Sequence, residues 1–226
     1  MNIAATLARI TYTYTNLNTY ENICPHQFFR RYLVRDIPYK ETKEMKFGND
    51  VHTAFELRIG GKKLLPVEMQ QWEGFATPFD RLQPKCEQKV GMMENGQPCD
   101  FWDKKVFIRG KLDVVLQNNT KAYMVDWKTG KTREDPFELE VGAMMLRAQH
   151  PELTSIQGQY CWLKENQLGK MYDLSDVPAT IKKVGGIVRK IEADRKSGEF
   201  AKRPSGLCPW CDVYDCEYNR NPNKPQ

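Results

Sequence analysis

The sequence predicts an α/β protein, because segments with the alternation of β-strands are interleaved with segments that have helical periodicity. Residues 106–116 and 122–128 are rich in β-branched and apolar side chains, with charges at alternate positions. Residues 117–120, Gln-Asn-Asn-Thr, tolerate turn geometry, so the two segments predict a β-hairpin. We expect the rest of the chain to be arranged around this hairpin.

Two short helices are predicted within residues 15–35, where apolar residues recur at helical spacing on either side of a break. Pro25 suits the first position of the second helix, because its missing N–H would have no partner there. Cys24 is therefore expected at a helix end. A longer helix is predicted at 44–59, ended by two glycines, and it places His52 and Glu56 four residues apart on one face.

Residues 62–105 have the least distinct pattern, in which 67–79 favour a helix and 85–90 a strand that enters the hairpin. Cys86 and Cys99 have no partner at metal-ligand spacing, and we interpret both as structural. After the hairpin, the pattern predicts a helix at 137–149, strands at 154–163 and 170–174, and a basic helix at 180–197.

The hairpin carries charged side chains with the chemistry of a metal site. Because successive residues of a strand face opposite ways, Asp126 and Lys128 share one face while Trp127 points to the other. Asp113 lies on the partner strand. Two carboxylates and a lysine are able to hold a divalent cation beside a cationic side chain, as phosphodiester chemistry requires. Solvated cross-strand ion pairs are the structural alternative.

The chain has 226 residues and a formal net charge of +5, which only weakly favours a polyanionic partner. The basic residues are clustered, however, and such clusters suit phosphate contacts. No apolar run approaches the roughly 18 residues needed to cross a bilayer, and residues 1–10 lack the features of a signal peptide. We therefore expect no membrane association and an intracellular, cytoplasmic location.

Seven cysteines in an intracellular chain argue against a disulfide framework. Cys208, Cys211 and Cys216 are close enough in sequence for one short loop to direct their thiolates at the same metal centre. A fourth ligand is needed. The candidates are Cys24 and, for a zinc site, His26; the remaining alternative is that the cysteines are buried and bind nothing.

Residues 110–113, Gly-Lys-Leu-Asp, and 126–128, Asp-Trp-Lys, resemble the G-x-x-D and (D/E)-x-K motifs of the PD-(D/E)XK nuclease superfamily. The RecB-like branch is the most similar, because Gly48, His52 and Glu56 match the spacing of its first motif helix. This resemblance implies a central mixed β-sheet flanked by helices, with a restriction-endonuclease-like core and the active site at one end of the hairpin.

The resemblance also implies the roles of the site residues. Lys128 would position or deprotonate a water that attacks the scissile phosphate, and it would stabilise the transition state. Glu56 and Glu138 are candidate accessory residues; Glu138 and Gly142 stand where the RecB-like branch has a Q-x-x-x-Y motif, so both depart from its pattern. The expected ligands of one or two Mg²⁺ or Mn²⁺ ions are His52, Asp113, Asp126 and the backbone carbonyl of Trp127.

Residues 24–32, Cys-Pro-His-Gln-Phe-Phe-Arg-Arg-Tyr, resemble the N-terminal element of RecB-like nucleases with iron–sulfur clusters. That resemblance implies a structural [4Fe–4S] cluster on Cys24, Cys208, Cys211 and Cys216, with Zn²⁺ as the alternative metal. Residues 15–35 and 200–220 would then form a clasp around a catalytic core at 44–196, all within one nuclease domain of residues 1–226.

The resemblance implies that the protein is a metal-dependent DNA nuclease. By analogy with RecB-like nucleases, it would be an exonuclease that acts at DNA ends in recombination, repair or phage replication. The expected partner is DNA, either single-stranded or the end of a duplex, and a recombination or replication protein is a further candidate. The setting would be a bacterial, archaeal or phage-infected cell. A metal-clasped DNA-binding module with weak or no catalysis is the alternative. The expected DNA contacts are Arg30, Arg31, Lys131 and Arg133.

Overall fold

The computed structural model describes residues 9–38, 40–61 and 63–222, so most of the N-terminal segment in which we expect no signal peptide lies outside the described residues. The chain separates into two compact units. The larger unit takes residues 41–180, and the smaller unit combines the residues up to 40 with those from 181 onward. None of the helices described is long and apolar enough to span a membrane.

The secondary structure alternates between helices and strands in the larger unit. The helices are α1 (Tyr14–Asn18), α2 (Pro25–Phe28), α3 (Lys43–Gly61), α4 (Glu73–Ala76), α5 (Phe137–Gln149) and α6 (Val177–Ser197). The strands are β1 (Lys85–Met92), β2 (Pro98–Cys99), β3 (Ile108–Gln117), β4 (Lys121–Lys128), β5 (Ser155–Trp162), β6 (Gln167–Leu168) and β7 (Tyr172–Asp173).

The seven strands of the larger unit form one mixed sheet with the order β2-β1-β3-β4-β5-β6, and β7 also pairs with β5. β3 and β4 form the predicted antiparallel hairpin. β4 and β5 are parallel, because α5 carries the chain back along the sheet between them. The central mixed sheet predicted from the sequence is therefore confirmed.

Helix α5 packs against one face of the sheet through a close backbone approach. A Cβ atom on Gly142 would lie 2.9 Å from side-chain atoms of both Leu112 on β3 and Met124 on β4. A Cβ atom on Gly110 of β3 would lie 2.7 Å from the methyl group of Met145 on α5. The small residues therefore allow the helix to approach the sheet more closely than larger side chains would.

The opposite face of the hairpin is covered by α3 and the segment that follows it. The ring of Phe55 on α3 stacks on the ring of Trp127 on β4 with 4.2 Å between their centroids, and both side chains are fully buried. The predicted helix at 67–79 is instead three short segments, because 3₁₀ turns at Val67–Trp72 and Thr77–Arg81 flank α4. Pro78 has no N–H to donate, which favours a break there.

The smaller unit contains the two predicted N-terminal helices, which continue as π-helical turns at Thr19–Ile23 and Phe29–Val34. Long-range hydrogen bonds join this N-terminal segment to α6. The hydroxyl of Tyr20 donates to Asp194 over 2.6 Å, and that of Tyr12 donates to Glu192 over 3.0 Å. Residues from the two ends of the chain thus form one compact unit.

We expect Gly142→Val to lower the free energy of unfolding by about 1–3 kcal/mol, because the added methyl groups would overpack the contact of α5 with the sheet. Gly60→Ala in α3 is the matched control, since its added Cβ would contact no described atom beyond its chain neighbours and the backbone of its own helix. That substitution should leave stability unchanged or raise it by up to about 1 kcal/mol. Urea denaturation of both variants measures the difference, and equal midpoints would contradict the packing described.

Candidate active site

A histidine and two carboxylates meet where α3 crosses β1 and β3. The potential ligand atoms of His52, Glu87 and Asp113 all lie within 4.8 Å of one another. His52 Nδ1 is 3.1 Å from an Asp113 oxygen and 3.5 Å from a Glu87 oxygen. Two carboxylates and an imidazole at such distances are a suitable ligand set for a divalent cation.

The pairing of β1 with β3 places the two acids together. Cys86 pairs with Val114 and Gln88 with Leu112, so Glu87 lies opposite Asp113. Glu87 has a φ of 50°, in the left-handed region that non-glycine residues seldom occupy. Such local strain persists where the surrounding structure enforces it, and it is frequent at functional sites.

Charged and polar neighbours hold these side chains in place. Burial acts to lower the pKa of His52, but its contacts with Asp113 and Glu87 raise that pKa to about 10. Burial acts to raise the pKa of Glu87, yet His52 and an ion pair with Lys111 lower it. The imidazole of His52 is thus a cation paired with carboxylates, and a metal cation that binds to these side chains would displace the imidazole proton.

A second group of charges lies at the end of β4. The Lys128 Nζ atom is 2.6 Å from Asp126 Oδ2 and 2.6 Å from Glu138 Oε2 on α5. Burial opposes the charge on Lys128, but the two carboxylates raise its pKa above the ordinary value. Burial raises the pKa of Asp126 well above its usual range, against the opposing effect of Lys128. A lysine cation is therefore fixed beside the acids.

The structure brings together His52 and Asp113 from the predicted ligand set, whereas Asp126 is turned towards Lys128. Asp126 still acts on His52 electrostatically, since it contributes to the raised pKa of the histidine. Trp127 contacts the cluster through its backbone N–H, which donates to Asp113 Oδ2 over 2.8 Å. The buried Asp126 Oδ2 atom is ion-paired with the Lys128 ammonium group, 2.6 Å away.

Sequence reasoning did not identify Glu87. The strand that contains Glu87 is predicted from the sequence. Antiparallel pairing of that strand with β3, in the observed register, places Glu87 opposite Asp113. The register of that pairing was not readable, because residues 62–105 lack a distinct pattern. Of the two accessory candidates, Glu138 accepts a hydrogen bond from Lys128, while Glu56 is exposed.

The four candidate cluster cysteines line a single cavity in the smaller unit. Backbone N–H groups donate to two of the sulfurs over 3.4 Å, from Arg203 to Cys24 and from Ser205 to Cys208. Burial raises the pKa of Cys211, and the other three cysteines add to that effect through their proximity. Among the described residues, no three cysteine sulfurs lie within 4.8 Å of one another. All seven cysteines are free.

The arginines and lysine expected to contact DNA have different surroundings. Lys131 and Arg133 are exposed on the segment that follows β4. Arg30 and Arg31 form ion pairs of 2.8 Å within the smaller unit, with Asp36 and Asp215 for Arg30 and with Asp212 for Arg31.

The motifs and the fold agree with a comparison against known protein families. The model of the PD-(D/E)XK nuclease superfamily matches residues 68–216, which is more than half of the chain. The chain therefore belongs to this superfamily, and the mixed sheet flanked by helices is its restriction-endonuclease-like core. The matched range includes Glu87 and Asp113 of the histidine–carboxylate cluster. It also includes Asp126 and Lys128 at the end of β4.

Two solved structures match most of this chain. A candidate exonuclease from Eubacterium rectale matches with a TM-score of 0.54 and 11% identity, over 96% of this chain and 89% of that chain. The protein SSO0001 matches with a TM-score of 0.48 and 11% identity, over 94% of this chain and 88% of that one. A comparison with curated protein sequences gave no significant match.

We expect Mn²⁺ to raise the stability of the wild-type protein but to have little effect on Glu87→Gln, which lacks one ligand charge. At a Mn²⁺ concentration about 100 times its Kd, the wild-type gain should be about 2.7 kcal/mol. Glu56→Gln is the matched control, because this acid is exposed on the same helix as His52. Thermal unfolding with Mn²⁺ and with EDTA measures the shift, and an equal gain in Glu87→Gln would contradict its role as a ligand.

Proposed function

We propose that this protein is a divalent-metal-dependent deoxyribonuclease that acts as an exonuclease on DNA ends. The observation that carries the proposal is the cluster of His52, Glu87 and Asp113 beside Lys128 in the core of a nuclease superfamily member. The similarity of the fold to a candidate exonuclease supports the same reading. Processing of DNA ends in recombination, repair or phage replication is the setting we propose.

The proposed ligand set is His52, Glu87, Asp113 and Asp126, with the backbone carbonyl of Trp127 completing it. One observation supports the fit: the potential ligand atoms of His52, Glu87 and Asp113 lie within 4.8 Å of one another. Asp126 is buried beside them, where it is ion-paired with Lys128. Oxygen-rich ligands suit Mg²⁺ or Mn²⁺. When bound, such an ion polarises the scissile phosphate and activates a water for attack.

The remaining residues fix the geometry of this set. The Trp127 N–H holds one Asp113 oxygen and leaves the other directed at His52. Asp126 and Glu138 hold the ammonium group of Lys128 in place. In this position Lys128 stabilises the negative charge that develops on the phosphate, and its preorganisation costs no rearrangement during the reaction.

We further propose that Cys24, Cys208, Cys211 and Cys216 hold a [4Fe–4S] cluster with a structural role. Four free thiols that line one cavity and receive N–H donors support this metal centre. A single zinc ion would hold its four sulfurs about 3.8 Å apart, given Zn–S bonds near 2.3 Å. Zn²⁺ is the alternative metal, since soft thiolates accept either centre.

Wild-type protein should degrade labelled linear DNA in the presence of Mg²⁺ or Mn²⁺, and Asp126→Asn and Lys128→Gln should each lower the rate by about a hundredfold or more. Lys121→Gln is the matched control, because Lys121 is an exposed lysine at the other end of β4. Circular dichroism verifies that each variant is folded. A closed DNA circle should stay intact, since an exonuclease needs an end.

If the wild-type protein and both variants bind DNA but leave it equally intact, the nuclease assignment is contradicted. That result would favour the metal-clasped DNA-binding module instead. Cleavage of the circle by wild-type protein would contradict only the exonuclease part.

Protein purified without oxygen should contain about four iron and four sulfide per chain, as a [4Fe–4S] centre requires. Cys211→Ser should lose the visible absorption of the cluster and lower the thermal stability, because the metal contributes to folding. Cys99→Ser is the control, since Cys99 lies on β2 and lines none of that cavity. One equivalent of zinc without iron would contradict the cluster.

A further inference from the structure

An exposed aromatic pair lies on the loop that joins β2 to β3. Phe101 and Trp102 contact each other edge to face, with 4.8 Å between their ring centroids. The Trp102 side chain is 67% exposed, which is unusual for the largest apolar side chain. An exposed tryptophan that a loop presents to solvent is a candidate binding element.

Cationic side chains surround this pair. The guanidinium carbon of Arg109 lies 4.7 Å from the centroids of both rings, and its Nη1 donates to the Phe101 carbonyl over 3.2 Å. The Nζ atom of Lys89 lies 6.0 Å from the Phe101 centroid. Asp100 accepts the backbone N–H of Trp102 over 3.2 Å, so the acid next to the pair belongs to the turn that presents the ring.

The same sheet surface leads from the aromatic pair to the active-site cluster. Gly110 and Leu112 face α5, so Arg109, Lys111 and Asp113 project from the opposite side of β3, where α3 supplies His52. Lys111 forms an ion pair with Glu87 of the cluster, and its pairing partner on β1 is Lys89. Asp113 is four residues along β3 from Arg109, a rise of about 13 Å.

We propose that Trp102 stacks on an unpaired base of a single DNA strand, with Phe101 and Arg109 holding the ring in place. Lys89 and Lys111 then contact the phosphates of the part of that strand that lies between Trp102 and the active-site cluster. Aromatic faces beside cations match the two chemical features of single-stranded DNA, its bases and its phosphates. The proposal rests on the proposed function and narrows its substrate to DNA with an unpaired strand. Within a duplex each base is paired and stacked on both of its neighbours, so its faces are not accessible to this site.

Binding without catalysis tests the proposal. In EDTA, fluorescence anisotropy gives the Kd of wild-type protein for a labelled oligothymidylate and for a blunt duplex. Trp102→Ala should weaken oligothymidylate binding by about 5- to 150-fold, as the loss of one base stack does. Trp102→Phe should restore most of the affinity, because a phenyl ring still stacks. Binding of the blunt duplex should be the same for all three proteins.

Leu168→Ala is the matched control, because Leu168 is an exposed apolar residue on β6, near the opposite edge of the same sheet. Unchanged oligothymidylate binding by Trp102→Ala would overturn the proposal. An equal loss in Trp102→Phe, or an equal loss for the duplex, would also overturn it.

Failure of this proposal is distinguishable from failure of the proposed function, because EDTA removes hydrolysis from the measurement. A protein that binds oligothymidylate through Trp102 but never cleaves DNA would contradict only the nuclease assignment. If the protein cleaves DNA but its Kd for oligothymidylate is unchanged in Trp102→Ala, only the stacking site is contradicted.

Discussion

The Asp113 carboxylate connects three elements of the larger unit. Its Oδ2 atom accepts the Trp127 N–H from β4, its Oδ1 atom contacts His52 from α3, and the strand register places Glu87 of β1 opposite it. A buried carboxylate is costly unless it is paired and hydrogen-bonded. These contacts therefore require the two strands and the helix to keep one arrangement, and that arrangement defines the candidate metal site.

The charges around Lys128 are arranged by the same constraint of burial. A buried lysine is stable as a cation only when carboxylates compensate for its lost hydration, and Asp126 and Glu138 do so here. Glu138 stands where the RecB-like motif that the sequence resembles has an amide. The structure gives this departure a physical role, because a carboxylate partner holds the lysine charge more firmly than an amide would. Gly142, the second departure, is one of the positions where α5 approaches the sheet closely.

The donor chemistry separates the two candidate metal centres. The cluster of the larger unit offers carboxylates and an imidazole, which suit hard divalent cations. The smaller unit offers four thiols in one cavity, which suit soft metals. A single metal would therefore not satisfy both centres, and each proposed cofactor can be removed and measured without reference to the other.

Local patterns in the sequence determined much of the secondary structure. The hairpin, the helix at 137–149 and the strand that contains Glu87 were all readable, because they follow from periodicity and turn chemistry within a few residues. The acids and lysine of the hairpin were likewise visible as motifs. The short 3₁₀ segments around α4 were not, since their ends depend on packing against the sheet rather than on propensity.

What only the tertiary structure decided is which side chains meet. Glu87 joins the cluster through the register of β1 and β3 and an unusual backbone conformation, while Asp126 turns towards Lys128. Trp102 became a candidate binding residue only because its loop leaves the ring exposed beside Arg109. Strand register and loop placement arise from contacts between distant residues, so the sequence alone determined the chemistry available and the fold selected the residues that share a site.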